Sequence, residues 1–216
     1  MNQLPIISII PMKPISDAKS RLSPYLGSPD RQKLALNMLR LVIKAASAAS
    51  KEVWVLGSDP ITKEIALSEG ARWKNERGNE VNQSLRLSFE EVWALQAAAL
   101  FLPGDLPMLH RKDVMQLTRL ARGIGTVALA PAGSSGGTNG ILLPTESNFY
   151  PHLGPDSFKK HLLQSIQTGL KPAVYISPGL SLDIDTWTDV EACEAVKPGL
   201  FRILLEEETP RWLEKV

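Results

Sequence analysis

Four short stretches of this chain carry side chains able to hold phosphate and a divalent cation, and each follows an apolar run. They are Ile9-Ile10-Pro11-Met12-Lys13 with Lys19 and Arg21 close behind, Leu100 to Asp105, Gly136-Gly137-Thr138-Asn139, and Leu182-Asp183-Ile184-Asp185-Thr186. In an open α/β sheet, ligands bind in the crevice beyond the carboxyl ends of the strands. Cations, carboxylates and bare glycine backbone at four such ends predict one shared site and a nucleotide-handling enzyme.

The carboxylates give the sharpest local pattern. Asp183 and Asp185 are two residues apart, so in extended backbone they share a face at a separation of about 6.6 Å. Two unit charges at that distance repel by roughly 2.5 kcal/mol at an effective dielectric of 20. A divalent cation would relieve that repulsion; the simpler alternative is that Asp185-Thr186 caps the next helix. Asp105 sits in Pro103-Gly104-Asp105-Leu106-Pro107, where the prolines stiffen the chain and the glycine widens its options. That suits a fixed ligand, and equally a turn before the helix near Lys112. Lys13, Lys19 and Arg21 lie where polyphosphate would meet a helix start. Neither a P-loop nor a Gly-x-Gly-x-x-Gly fingerprint is present there, so the cations are either phosphate ligands or simply solvated. Gly136 to Asn139 could form an anion nest. Asp156 or Ser157 could cap a helix after Gly154.

These residues need a frame, and the chain supplies one. Apolar runs at 4–10, 53–56, 98–102, 126–130, 141–143 and 173–176 alternate with helical periodicity over about 29–49, 61–68, 79–95, 112–121, 157–167 and 188–196. That alternation predicts βαβ units and a mostly parallel sheet. The pair 126–130 and 141–143 reads either as a hairpin or as two strands of the main sheet. The tail, 201–216, is a candidate last helix carrying the solvated run Glu206-Glu207-Glu208. At 216 residues without a linker or repeat, the chain is expected to form one domain over 1–216.

Composition narrows the function classes. A formal net charge of +1 predicts no nucleic-acid partner and no anionic membrane surface. Apolar runs are too short to span a bilayer, and no secretory signal is evident at Met1 to Pro5. The single cysteine, Cys193, excludes a disulfide framework and points to a reducing cytoplasm; it reads as a core residue. Acyl transfer lacks its motifs.

In their order, Ile10-Pro11-Met12-Lys13-Pro14, Ala18-Lys19-Ser20-Arg21-Leu22, Pro103 to Pro107, Gly137-Thr138-Asn139, Gly154-x-x-Ser157-Phe158-x-x-His161 and Asp183-Ile184-Asp185-Thr186 closely resemble the 2-phospholactate and phosphoenolpyruvate guanylyltransferase family of coenzyme F-420 biosynthesis. The resemblance implies a Rossmann-like, glycosyltransferase-A-like nucleotidyltransferase fold, a mostly parallel mixed sheet flanked by helices. It implies transfer of GMP from GTP to a small phosphorylated acid. Asp105, Asp183 and Asp185 would hold Mg²⁺. Lys13, Lys19 and Arg21 would act on the GTP phosphates, and Asn82 would lie near the nucleoside. Thr138, Gly154 and Ser157 would contact the acid. Gly140 stands where relatives often have Ala, with only a small steric effect expected. Trp212 in the tail is a candidate homodimer contact. Nucleotidyltransferases of the molybdenum-cofactor or sugar-nucleotide type are the alternative, although their Gly-rich first loop is replaced here by Pro11-Met12-Lys13-Pro14. A non-catalytic nucleotide-binding module is the reading from another class.

Overall fold

A computed structural model describes residues 4–78, 80–121, 125–133, 136–144 and 147–206. Seven strands form one sheet in the order β3-β2-β1-β4-β6-β5-β7. They are β1 Ile6–Pro11, β2 Glu52–Gly57, β3 Arg72–Asn75, β4 Ala98–Phe101, β5 Thr126–Pro131, β6 Thr138–Leu143 and β7 Lys171–Val174. All neighbours pair in parallel except β6, which runs antiparallel to both β4 and β5.

Strand alternation explains why the central strands read as unbroken apolar runs. Ile10, Val53, Val55, Leu100, Ala128, Ala130 and Leu142 point into a core on one face of the sheet. Ile7, Ile9, Trp54, Leu56, Ala99, Phe101, Leu129 and Ile141 point into a core on the other. Successive residues of a strand face opposite sides, so a sheet covered on both faces needs apolar residues at every position. Each fully buried Leu, Ile or Val contributes about 1.5–3 kcal/mol relative to exposure.

The helices cover these faces: α1 Ser28–Ser47, α2 Pro60–Ser68, α3 Val81–Ala94, α4 Arg111–Leu120 and α5 Ser157–Gln167. Three shorter ones follow, α6 Pro178–Ser181, α7 Trp187–Val196 and α8 Leu200–Leu205. Helix α1 buries Leu34, Met38, Leu41 and Val42 at helical spacing. Part of that stripe joins Ile184, Val190, Cys193, Leu200 and Leu204 in a third cluster, which docks the α7–α8 segment against α1. Cys193 is buried there, and desolvation pushes its thiol up to about 12, helped by the nearby Asp189 and Asp183 carboxylates. It is a core residue, as its sequence context predicts.

Several expectations change. The uncertain pair resolves as β5 and β6, antiparallel neighbours inside the main sheet. Edge strand β3 was not expected, because Arg72-Trp73-Lys74-Asn75 is partly exposed and carries no period-2 apolar signal. Strand β7 begins two residues before the apolar run at 173–176. Helix α6 has one turn, too short for a periodic signal. Gly140 was expected to tolerate a methyl group, yet a Cβ there would stand 2.8 Å from Leu117 Cδ2 and 3.1 Å from Ala130 Cβ. The expectations for Asn79, for Glu207, Glu208 and Trp212, and for the tail helix beyond Glu206 lie outside the described residues. Among the described residues no helix is long and apolar enough to cross a membrane.

Candidate active site

The parallel strands β1 and β4 end at Pro11 and Phe101, and the loops that leave them carry Lys13 and Asp105. Strand β6 runs the other way, with Ile141 opposite Phe101. Its first residues, Thr138 and Asn139, therefore lie beyond the carboxyl end of β4. Gly104 lets the β4 loop close on the β1 loop: a Cβ there would meet Met12 Sδ at 2.3 Å. The β1 loop is pinned from the other side by Asp59, whose carboxylate accepts from the Ile15 amide at 3.3 Å and caps α2 through Thr62 N–H at 2.9 Å.

Together these loops enclose a cleft of about 600 Å³ lined by Lys13, Lys19, Arg21, Asp105, Asp185 and Gly154, with Val81, Phe101 and Leu153 as apolar wall. Six residues selected for their chemistry, spread over more than half of the chain, thus share one concavity. Lys19 is its electrostatic hub. Its Nζ donates to Asp105 Oδ2 at 2.7 Å and to Asp185 Oδ1 at 2.9 Å. Its backbone is left-handed, at φ 52° and ψ 39°, a conformation a non-glycine residue holds only when its surroundings insist. Burial of the ammonium works against its charge, but the two carboxylates prevail and raise its pKa above the ordinary lysine value.

The acidic segment does not form a strand. Ile184 is buried, and its N–H donates to the Asp105 carbonyl at 3.3 Å; this brings the Asp183–Asp185 segment to the Asp105 loop. Asp183 accepts from Asn139 Nδ2 at 3.0 Å. Burial raises its pKa first, and the charges of Asp105 and Asp185 raise it further. Asp185 is also pushed up by burial, yet Lys19, with help from Arg21 and Lys13, holds it below the ordinary range. Thr186 caps α7 through a reciprocal pair with Asp189, so the helix-capping role foreseen for the Asp185-Thr186 turn falls to Thr186.

The three carboxylates therefore share an electrostatic neighbourhood without forming a ready-made cage. Among the described residues no three His, Cys, Asp or Glu side chains are grouped to hold a metal ion. This departs from the expected triad, and the physical reason is visible. Asp105 and Asp185 close on the Lys19 ammonium, while Asp183 is drawn to Asn139. The donor set still fits a hard cation: it consists of carboxylate oxygens, and Asp183 bears the repulsion of two neighbours.

Thr138 and Ser157, expected to meet the acid, are buried and are not among the residues that line the cleft; Thr138 Oγ1 lies 2.9 Å from His161 Nδ1 and accepts from Ser157 Oγ at 3.2 Å. Gly154 takes φ 131° and Asp156 takes φ 55°. Asp156 makes no side-chain cap, contrary to expectation; instead the Phe158 N–H at the start of α5 donates to the Gly136 carbonyl at 3.1 Å. Asn82, expected near the nucleoside, is hydrogen-bonded to the loop before Gly154. Its amide donates to the Leu153 carbonyl at 3.2 Å and accepts from the Leu153 N–H at 2.8 Å, so it braces the Gly154 loop. Sequence reading assigned no role to Asp59, to Asn139 individually, or to His161. The Asp-Pro helix start at Asp59 was the available signal for the first; nothing in the sequence showed which partners the other two would hold.

Comparisons with known proteins place the chain in a lineage. Residues 6–194 match the family described as Guanylyl transferase CofC like. The phosphoenolpyruvate guanylyltransferase of Rubrobacter xylanophilus is 31% identical over 192 residues, covering 88% of this chain and 94% of that protein. The 2-phospho-L-lactate guanylyltransferase of Methanocaldococcus infernus is also 31% identical, covering 85% of this chain and 82% of its own. Among solved structures, a nucleotidyl transferase from Methanothermobacter superimposes with a TM-score of 0.62 at 16% identity, over 94% of this chain and 99% of its own. A protein from Desulfovibrio desulfuricans G20 superimposes with a TM-score of 0.75 at 12% identity, over 97% and 94%. At those identities the structural likeness speaks for the fold, while the sequence matches speak for the lineage: this chain belongs to the Guanylyl transferase CofC-like family.

Proposed function

We propose that this protein transfers GMP from GTP to a phosphorylated three-carbon acid, phosphoenolpyruvate or 2-phospholactate, in coenzyme F-420 biosynthesis. The observation that carries the reading is one cleft lined by Lys13, Lys19, Arg21, Asp105, Asp185 and Gly154. Relatives that carry the activity in their names support it.

An oxygen of the acceptor phosphate attacks the α-phosphorus of GTP. A new P–O–P linkage forms, the bond to the β-phosphate breaks, and pyrophosphate leaves with that electron pair. The attacking oxygen is already anionic, so the chain needs no general base. What it must supply is alignment and charge neutralisation. Lys13 and Arg21 attract the polyphosphate, and Lys19 turns from the carboxylates toward it. Gly154 and the hydroxyls of Thr138 and Ser157 orient the acid. Asp105, Asp183 and Asp185 are the residues that would hold Mg²⁺, which on binding neutralises charge on the phosphates.

Incubation with GTP, magnesium and each acid, followed by mass spectrometry, tests the reading; the expected product is the diphosphate-linked guanosine adduct with one pyrophosphate released per adduct. Absence of adduct with either acid refutes it. Asp183→Ala is expected to keep the fold and lose turnover by 10²-fold or more, on the order of other losses of transition-state charge stabilisation. Near-normal pyrophosphate release by that variant contradicts the metal assignment.

A further inference from the structure

His161 is fully buried on α5, with its ring centroid 5.6 Å from that of Phe149. Both ring nitrogens have partners. The backbone N–H of His152 donates to Nε2 at 2.9 Å, and Nδ1 lies 2.9 Å from Thr138 Oγ1. A backbone amide is only a donor, so Nε2 is the unprotonated nitrogen. A neutral imidazole carries one proton, which places it on Nδ1, donating to Thr138. Ser157 donates to the same oxygen at 3.2 Å. The two lone pairs of the Thr138 hydroxyl are then occupied, and its own proton is left to donate.

We propose that His161 is a positioning residue that orients the Thr138 hydroxyl as a hydrogen-bond donor toward the anionic oxygens of the phosphorylated acid. The proposal rests on the functional reading in which Thr138, Gly154 and Ser157 contact the acid. Its logic is polarity. Phosphate and carboxylate oxygens accept hydrogen bonds, and a hydroxyl turned the other way would present lone pairs to them. The long Ser157 contact is the easiest to release, so Ser157 turns to the ligand while His161 keeps Thr138 fixed. The same imidazole holds the His152 amide two residues before Gly154, which ties the hydroxyl to the loop that the acid meets. Burial, with the charges of His152 and Lys160, lowers the His161 pKa to about 4, so the ring keeps its neutral form near neutral pH.

Two variants separate the two nitrogens. In His161→Asn the amide N–H takes the place of Nδ1–H; in His161→Gln the carbonyl takes the place of Nε2 and the donor to Thr138 is lost. With wild-type turnover established first, His161→Gln is expected to raise the KM for the acid about ten- to hundred-fold, the range of one charge-assisted hydrogen bond. The dissociation constant for GTP should not change, and His161→Asn should recover most of the acid KM. Equal acid KM values in the two variants, or parallel loss of GTP affinity, overturn the proposal. Wild-type protein that transfers GMP to neither acid instead overturns the functional reading. Should the variants fail to fold, ¹⁵N-resolved NMR of the wild-type ring decides the matter: a neutral Nδ1–H tautomer supports the proposal, and an Nε2–H or doubly protonated ring overturns it.

Discussion

Lys19→Met removes the ammonium that Asp105 and Asp185 share, and the cost can be worked from its geometry. At 2.7 and 2.9 Å each contact is worth a gross 6 kcal/mol or so at an effective dielectric of 20. Desolvation of the ammonium, whose side chain is only 8% exposed, offsets several kcal/mol of that. Removing one partner of a wholly buried pair costs about 3–5 kcal/mol. Here Asp185 is 51% exposed and Asp105 28%, so water screens much of the charge left behind. A net loss of about 2–3 kcal/mol is expected, which for a chain of this size lowers Tm by roughly 5–10 °C. The informative measurement is the same melt with added magnesium. In wild type a divalent cation must displace the ammonium to reach Asp105 and Asp185; in the variant it need not. Magnesium should therefore raise the Tm of Lys19→Met more than that of wild type, since ligand binding to the native state stabilises it by mass action. Equal magnesium shifts would refute the reasoning.

Stability should also fall between pH 6.5 and 4 on account of His161. Its folded pKa, about 4, lies below the unfolded value near 6.5, so the unfolded state binds the proton more tightly. The contribution, about 3 kcal/mol, is complete above pH 6.5 and is lost as pH falls toward 4; urea melts of wild type against His161→Gln should show the steeper pH slope in wild type. Gly140→Ala should cost about 1–3 kcal/mol, because the added methyl meets Leu117 and Ala130 within the packed sheet; chemical denaturation measures it, and a neutral result would mean that Leu117 turns aside freely. On the proposed function, Asn82→Ala should raise the acid KM without changing the relative use of GTP and ATP, because its amide is committed to the Leu153 peptide; a change in nucleotide use would instead assign Asn82 to the nucleoside.

What was legible in the sequence follows from how information is stored locally. The central strands were readable because burial on both faces demands continuous apolar runs, and α1 because twenty residues give several turns of periodicity. Strand β3 was not, since its register depends on pairing with β2 rather than on its own residues. The candidate site was legible as a set of loops: Lys13, Lys19, Arg21, Asp105 and Asp185 do line one cleft. The partners within it were not. Nothing near Asp183 announces that Asn139 will hold it, and an Asn amide that could read a base can equally brace a peptide, as Asn82 does. Spacing placed the carboxylates in an extended segment, while their observed positions come from Ile184 entering the third core and pulling the segment against the Asp105 loop.

Charge balance gives the arrangement its chemical sense. Lys13, Lys19 and Arg21 line the cleft with Asp17, Glu76, Asp105 and Asp185, so its lining carries no formal excess of positive charge, and its strongest contacts are internal. A polyphosphate entering alone would compete with the carboxylates for Lys19 and bring more negative charge toward Asp183, already repelled by Asp105 and Asp185. A divalent cation entering alone would have to part Lys19 from Asp105 and Asp185 and leave its ammonium buried without a partner. When both enter, the ammonium exchanges carboxylate for phosphate, the carboxylates exchange ammonium for metal, and no charge is stranded in the interior. Because a lone buried charge is the costly state, a site that takes the proposed metal and nucleotide would favour their binding as a pair. The internal ammonium then disfavours binding of either one alone, and the left-handed backbone at Lys19 is the strained point about which that exchange would turn.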